Sequence, residues 1–202
     1  MTLDTRTDEE LLRAHHQGDV AAFDVLVTRH LTPVYRFLVR MLGDAHTAED
    51  VTQETFIKAW KRLSTFDRTR SFNTWLFTIA RNAAIDYIRK ERPYVTIDQH
   101  DDHEQFFDTL PDIQPLAPEM LMQNDAQQEL ETALSHVPPQ TRSVILLHDI
   151  EEMTFAEIAE TTHEPLNTIK SRYRRGLALL RPIVEKIRAS YPGNAPKNSS
   201  IT

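Results

Sequence analysis

No cysteine occurs among the 202 residues, which excludes disulfides, thiolate metal ligands and thiol nucleophiles within the chain. Glycine is scarce, and its four residues are scattered, so no glycine-rich phosphate loop or nucleophile elbow is present. No apolar run approaches the roughly 18 residues of a membrane span. The opening MTLDTRTDEE is acidic where a secretory signal would be basic and then apolar. The reading is a cytoplasmic chain with no direct membrane insertion. Six of its nine histidines (His15, His16, His30, His46, His136, His148) form no ligand or catalytic constellation. No catalytic residue, cofactor or metal is therefore expected. A hydrophobic content of 40% is enough to bury a core in one large domain or two small ones.

Charge is unevenly placed in a chain of formal net charge −7. Residues 58 to 92 hold nine Lys/Arg against three Asp/Glu, and 166 to 188 hold seven against one. Residues 93 to 135 hold ten Asp/Glu and no Lys/Arg. Two basic blocks around an acidic one suit two polyanion-binding surfaces on a repelled connector, or equally two solvated helix faces.

Helical signals are frequent and strand signals are scarce. Thr7-x-x-Glu10 is a capping box, Gly18 closes the first helix, and Asp19 is placed to cap a second, AAFDVLVTRHLTPVYRFLVRML, where Pro33 predicts a kink or break. TAEDVTQETFIKAWKRL and SFNTWLFTIARNAAIDYIRKER read as two further helices joined by the loop STFDRTRS. From Pro93 to about Glu119 the period dissolves into prolines and acids, which marks a linker. His100 and His103 lie there among Asp98, Asp101, Asp102 and Glu104, and read as solvated linker residues, since a flexible chain offers no preformed metal site. Helices resume to about residue 190, the last two after the capping box Thr154-x-x-Glu157. The expected fold is all-α: helical bundles at 1–92 and 120–190, a flexible acidic linker at 93–119 and a disordered tail at 191–202.

TFAEIAETTHEPLNTIKSRYRRG fits a helix-turn-helix. Ile158 and Ile169 form the shared core, Ala159 permits close approach, and His163 to Leu166 supply the turn. His163 stands where a positive φ often calls for glycine. At 100° per residue Ile169, Tyr173, Leu177 and Leu180 gather on one side of the second helix. Ser171, Arg174, Arg175 and Ala178 lie opposite, with Lys170 and Arg172 on the flanks. That face suits a major groove.

In the helix from Thr47, Ala48, Phe56, Ala59, Trp60 and Leu63 are expected inside. Asp50, Glu54, Ile57 and Lys61 lie outside with Gln53 at the edge, a small protein-binding stripe. In the next helix Phe72, Leu76, Ile79, Ala80, Ala83 and Tyr87 point inward, with Trp75 also read as core. Thr78, Arg81, Asn82 and Arg89 are left outside. With Arg68, Arg70 and Asn73 of the preceding loop, they suit a single strand whose bases splay into pockets.

These motifs, AEDVTQETFIKAW, FNTWLFTIARNAAIDYIRK and PPQTRSVILLHDIEEMTFAEIAE with NTIKSRYRRG, resemble the sigma-70 family of bacterial transcription initiation factors, in its small extracytoplasmic-function (ECF) group. The resemblance spans about Asp8 to Arg181 apart from the linker. It implies a promoter-specificity subunit rather than an enzyme. Its partners would be the RNA polymerase core, promoter DNA (duplex at the −35 element, single-stranded at the −10 element) and an anti-sigma factor, which would often hold it at the membrane. Asp50, Gln53 and Glu54, with Ile57, would bind the polymerase clamp. Arg68, Arg70, Asn73, Arg81 and Asn82 would bind the −10 element, with the loop from Thr65 to Asn73 pocketing a flipped base. Asn167, Thr168, Lys170, Ser171, Arg172, Arg174 and Arg175 would face the −35 element. Asn167 departs from the family's usual glycine, and His163-Glu164 from its usual turn. The linker, anchored by Phe106-Phe107, would thread the polymerase cleft and imitate nascent RNA. The alternative is a stand-alone helix-turn-helix regulator binding duplex operator DNA, which leaves the motifs at 47–92 unexplained. An enzyme is a more distant rival.

Overall fold

The computed structural model describes residues 4–91 and 124–190, so the linker, its histidines and Phe106-Phe107, and the C-terminal tail lie outside the described residues. Eight α-helices and no strand occur among the described residues: α1 (Asp8–His16), α2 (Ala21–Leu42), α3 (Ala45–Arg62), α4 (Phe72–Glu91), α5 (Asn124–Ser135), α6 (Pro139–Asp149), α7 (Phe155–Thr162) and α8 (Leu166–Ser190). A 3-10 turn, Leu63–Thr65, follows α3.

Local chemistry sets most boundaries. Thr7 and Thr154 each accept from the backbone N–H three residues on, and Glu10 and Glu157 return the bond, so α1 and α7 both begin in a capping box. Gly43 ends α2 in the left-handed region at φ 74°. Asp44 caps α3, and starts it two residues before the Thr47 expected from sequence. Asp19 does not cap α2, whose first residues carry no side-chain cap. Its carboxylate takes Arg6 instead, at 3.2 Å.

Pro33 does not break the helix: α2 runs on through it from Ala21 to Leu42. The reason is placement. Pro33 lies on the exposed side, so the carbonyl it leaves without an N–H partner faces water. Leu26 and His30 before it, and Val34, Phe37 and Leu38 after it, are buried and hold both halves against the core.

Helices α1 to α4 form the first bundle, with α2 packed on α1, α3 and α4. Asp8 of α1 ties α1 to α2 through Arg29 and through His30 Nε2, the latter at 2.7 Å. Helices α5 to α8 form the second, with α8 packed on α5, α6 and α7. The two bundles touch: α4 packs on α6 and α7, and α2 on α5 and α6. Their buried side chains form one continuous cluster. Helix α6 shows the consequence, being buried almost all round at Gln140 through Leu147. Its polar residues work at the seam between bundles. Arg142 donates to the backbone carbonyls of Met41 at the end of α2 and of Ser135 and Val137 in its own bundle.

Candidate nucleic-acid interface

Helix α3 exposes one stripe. Asp50, Gln53, Glu54 and Ile57 are all exposed at the spacing that aligns residues on one helix face, and Ile57 shows 53% of its surface. Glu54 accepts from Lys58 at 2.7 Å, which orders the carboxylate without covering it. The buried side consists of Ala48, Val51, Thr52, Thr55 and Ala59. It is therefore rotated from the face expected from sequence: Phe56 is half-buried and Trp60 is 47% exposed. Trp60 packs edge-on against Phe23 and His15, at centroid distances of 4.9 and 5.3 Å.

The loop after α3 is a built turn. Asp67 Oδ1 accepts from the Thr69 backbone N–H at 3.0 Å and from its hydroxyl at 2.8 Å, and the Asp67 carbonyl accepts from Arg70 N–H. These Thr69 bonds hold the Asp67 carboxyl below its ordinary range. Phe66, Phe72 and Trp75 pack together beneath the turn, which leaves Arg68 and Arg70 exposed above it. Trp75 is half-buried rather than fully core, and Asn73 is half-buried beside it. Between this loop, α1 and the end of α3 lies a cavity of about 500 Å³, lined by His15, Trp60, Lys61, Phe66 and Arg68 among others.

Helix α4 keeps Phe72, Leu76, Ile79, Ala80 and Ala83 inside as expected, with Tyr87 half-buried, and Asn82 and Arg89 exposed. Arg81 differs. It is only 6% exposed, donates to Ser143 Oγ of α6 at 3.1 Å and to Asn82 Oδ1, and lies 3.9 Å from Glu164. Burial pushes its guanidinium below the ordinary value, with Glu164 opposing. Helical periodicity placed it outside because the second bundle, whose contacting residues are 60 or more positions away, is invisible to a local pattern.

Helices α7 and α8 form the helix-turn-helix. Ile158 and Ile169 are fully buried, as are Tyr173, Leu177 and Leu180 to within a few per cent. His163 takes the left-handed conformation at φ 57°, ψ 35°, as a residue at that turn position must. Asn167, Lys170 and Arg174 are exposed, and Thr168, Ser171 and Arg175 are half-buried. Ser171 donates to the Thr168 carbonyl. Arg172 departs from the expected flank: it is 7% exposed and pairs with Glu164 at 2.6 Å.

Residues 26–94 match the family model of sigma-70 region 2, and residues 127–180 that of sigma-70 region 4. The chain is 34% identical over 171 residues to the ECF RNA polymerase sigma factor SigW of Bacillus subtilis, covering 82% of this chain and 90% of that one. It belongs to the ECF group of the sigma-70 family. The RNA polymerase sigma-H factor of Pseudomonas aeruginosa is 33% identical over 174 residues, with 83% of this chain and 89% of that one covered. The same helical fold occurs in CnrH, solved with the cytosolic domain of CnrY, and in the sigma factor RpoE of Bartonella quintana, solved with the anti-sigma factor NepR. Both have a TM-score of 0.62, at 24% and 23% identity; the matches cover 89% and 81% of this chain, and 97% and 96% of those chains. The protein is thus an RNA polymerase sigma factor, the class of subunit that directs polymerase to promoters. In this sigma factor Arg81 and Arg172, drawn from regions 2 and 4, meet at Glu164, a residue that the sequence pattern marked only as a departure at the turn.

Proposed function

We propose that three surfaces of this sigma factor divide its work. The α3 stripe, Asp50, Gln53, Glu54 and Ile57, docks on the polymerase clamp. Carboxylates set around one exposed isoleucine give an apolar contact with charged surroundings, the composition of a small protein interface. The loop and α4 residues Arg68, Arg70, Asn73 and Asn82 hold the unpaired −10 strand, and Arg81, buried against Ser143, donates to Asn82 Oδ1 and so positions that amide. The cavity beside the loop takes one flipped base, between Trp60 and Phe66, with Lys61 and Arg68 to meet its phosphate. Helix α8 presents Asn167, Thr168, Lys170, Ser171, Arg174 and Arg175 toward the −35 duplex, while Arg172, buried and paired with Glu164, braces the turn beneath them.

The observation that carries the division is that the α3 stripe, the loop arginines and the Lys170–Arg174 face are exposed on separate elements, each raised on buried residues of its own helix or turn. The protein acts by binding, and polymerase supplies the chemistry. It works in the cytoplasm; no described helix is long and apolar enough to cross a membrane. An anti-sigma factor would silence it by covering the α3 stripe. The test is capture of sigma-free bacterial core polymerase by wild-type protein and by Glu54→Lys with Ile57→Glu. Core affinity is expected to fall at least tenfold in the double variant with its helical circular dichroism unchanged. Equal affinity would remove α3 from the interface.

A further inference from the structure

Helix α1 lies outside residues 26–94, the part of the chain that matches region 2, yet it forms one wall of the cavity beside the loop. Leu12 and His15 come from α1, Trp60 and Lys61 from the end of α3, and Phe66 and Arg68 from the loop. This wall is fixed at both ends. At its start Asp8 holds Arg29 and His30 of α2, and at its end the His15 ring meets Trp60 edge-on at 5.3 Å and Phe23 at 6.0 Å. Leu11 and Leu12 between them are buried in the core.

One atom of this wall has no use in the fold: His15 Nδ1 is buried and has no hydrogen-bond partner. A buried N–H with no acceptor is the rare case, so the neutral ring keeps its proton on Nε2. Nε2 is then a donor, on a ring that lines the cavity and that two aromatic neighbours hold in place.

We propose that His15 is a specificity-determining residue for the −10 element: its Nε2–H donates to the base that the cavity receives and selects one that offers a carbonyl oxygen. This rests on the base-binding role proposed above for the cavity. Trp60 and Phe66 stack on any base, because every base has a π-face. Lys61 and Arg68 are taken by the phosphate. Ser64 and His16 also line the cavity, both exposed; the Ser64 hydroxyl donates and accepts alike, and His16 is free to turn to water. His15 is left as the donor of fixed polarity. Cytosine, thymine and guanine bring it carbonyl acceptors. Adenine has no carbonyl, and its amino group sets a donor against a donor. That mismatch leaves both groups unpaired, which costs more than the absence of one hydrogen bond.

The test uses holoenzyme assembled from bacterial core polymerase and the full chain. On a promoter mapped with wild-type holoenzyme, each −10 base of the non-template strand is changed in turn to the other three. Run-off transcription is then measured in competition with the parent promoter. Wild type is expected to reject adenine about tenfold at one position. His15→Leu keeps an apolar contact with Phe23 and Trp60, and is expected to bring that rejection to within about twofold. Its preferences at the other −10 positions and its core affinity are expected to stay as in wild type. His15→Gln restores an N–H donor and is expected to keep most of the rejection. Three results would overturn the assignment: rejection of adenine that survives His15→Leu, a preference for adenine at the position His15 controls, or selectivity lost at every position in both variants, as a merely structural role requires. Trp60→Ala with Phe66→Ala separates this from the reading beneath it. Loss of selectivity at the same position is expected; if every preference survives that double change, the cavity takes no base and the proposed role of the cavity itself fails.

Discussion

Gly176 sits where α8 crosses α6, and a Cβ built there would lie 2.5 Å from the tip of Ile145 and 2.7 Å from the Thr141 methyl. Ile145 can shift its terminal carbon, but the branched Thr141 side chain sits on its own backbone and cannot. Gly176→Val is expected to lower unfolding free energy by about 1–3 kcal/mol, read from urea denaturation. Three positions before it, the Tyr173 hydroxyl donates to Asp149 at 2.7 Å. Burial and that carboxylate together push the phenol well above its ordinary range. Tyr173→Phe leaves the buried Asp149 short of a donor and is expected to cost about 1–3 kcal/mol in the same assay. Glu151 responds to pH. Burial raises its carboxyl to about 7, with Glu152 adding to the effect and Arg40 of α2 opposing it. The folded state thus holds this proton more tightly than the unfolded chain. The associated stability is complete below the ordinary carboxyl range near 4.5 and is lost as pH rises through about 7. Thermal denaturation between pH 5 and 7.5 is expected to show a fall in Tm that Glu151→Gln reduces. An unchanged fall would place the proton elsewhere.

At the scale of elements, the residues that begin and end helices were legible because their signals are local. Both capping boxes, Gly43 and the left-handed His163 follow from neighbours within four positions, and the buried pair Ile158 and Ile169 from a motif eleven residues long. Elements were misjudged where a distant contact decided the outcome. Pro33 was tolerated inside α2 because its exposed side faces water, Trp60 lies half-covered at the bundle's edge against Phe23 and His15 of other helices, and α6 was buried on faces that its own sequence does not mark. The caps also give a prediction. Thr154→Ala removes the acceptor for the Glu157 N–H and the donor that holds the Glu157 carboxyl below its usual range. It is expected to lower stability by about 1 kcal/mol, measured by denaturation, and to loosen α7 without unfolding region 2.

At the scale of the whole molecule, the order of motifs along the chain carried the family, while the arrangement of the two bundles was not legible at all. Arg81 and Arg172 have the composition and the period of exposed DNA contacts, yet Arg81 is buried against Ser143 and Glu164 of region 4, and Arg172 is buried beside Glu164 in its own bundle. The alternating charge blocks hinted at two polyanion surfaces but gave no sign that carboxylates of one bundle would meet cations of the other. Charge also predicts the salt response of the holoenzyme. The residues proposed to contact the −35 duplex include Lys170 and Arg174, so promoter affinity is expected to fall steeply with salt, and Lys170→Ala should flatten that slope by about one. The most direct test of the account is run-off transcription from fragmented genomic DNA by sigma-free bacterial core polymerase reconstituted with this protein. The account predicts transcripts that start at a fixed distance from a shared two-part motif and that disappear with the double change Lys170→Ala and Arg174→Ala. Tight duplex binding by the protein alone, with no core binding and no specific transcripts, would contradict it.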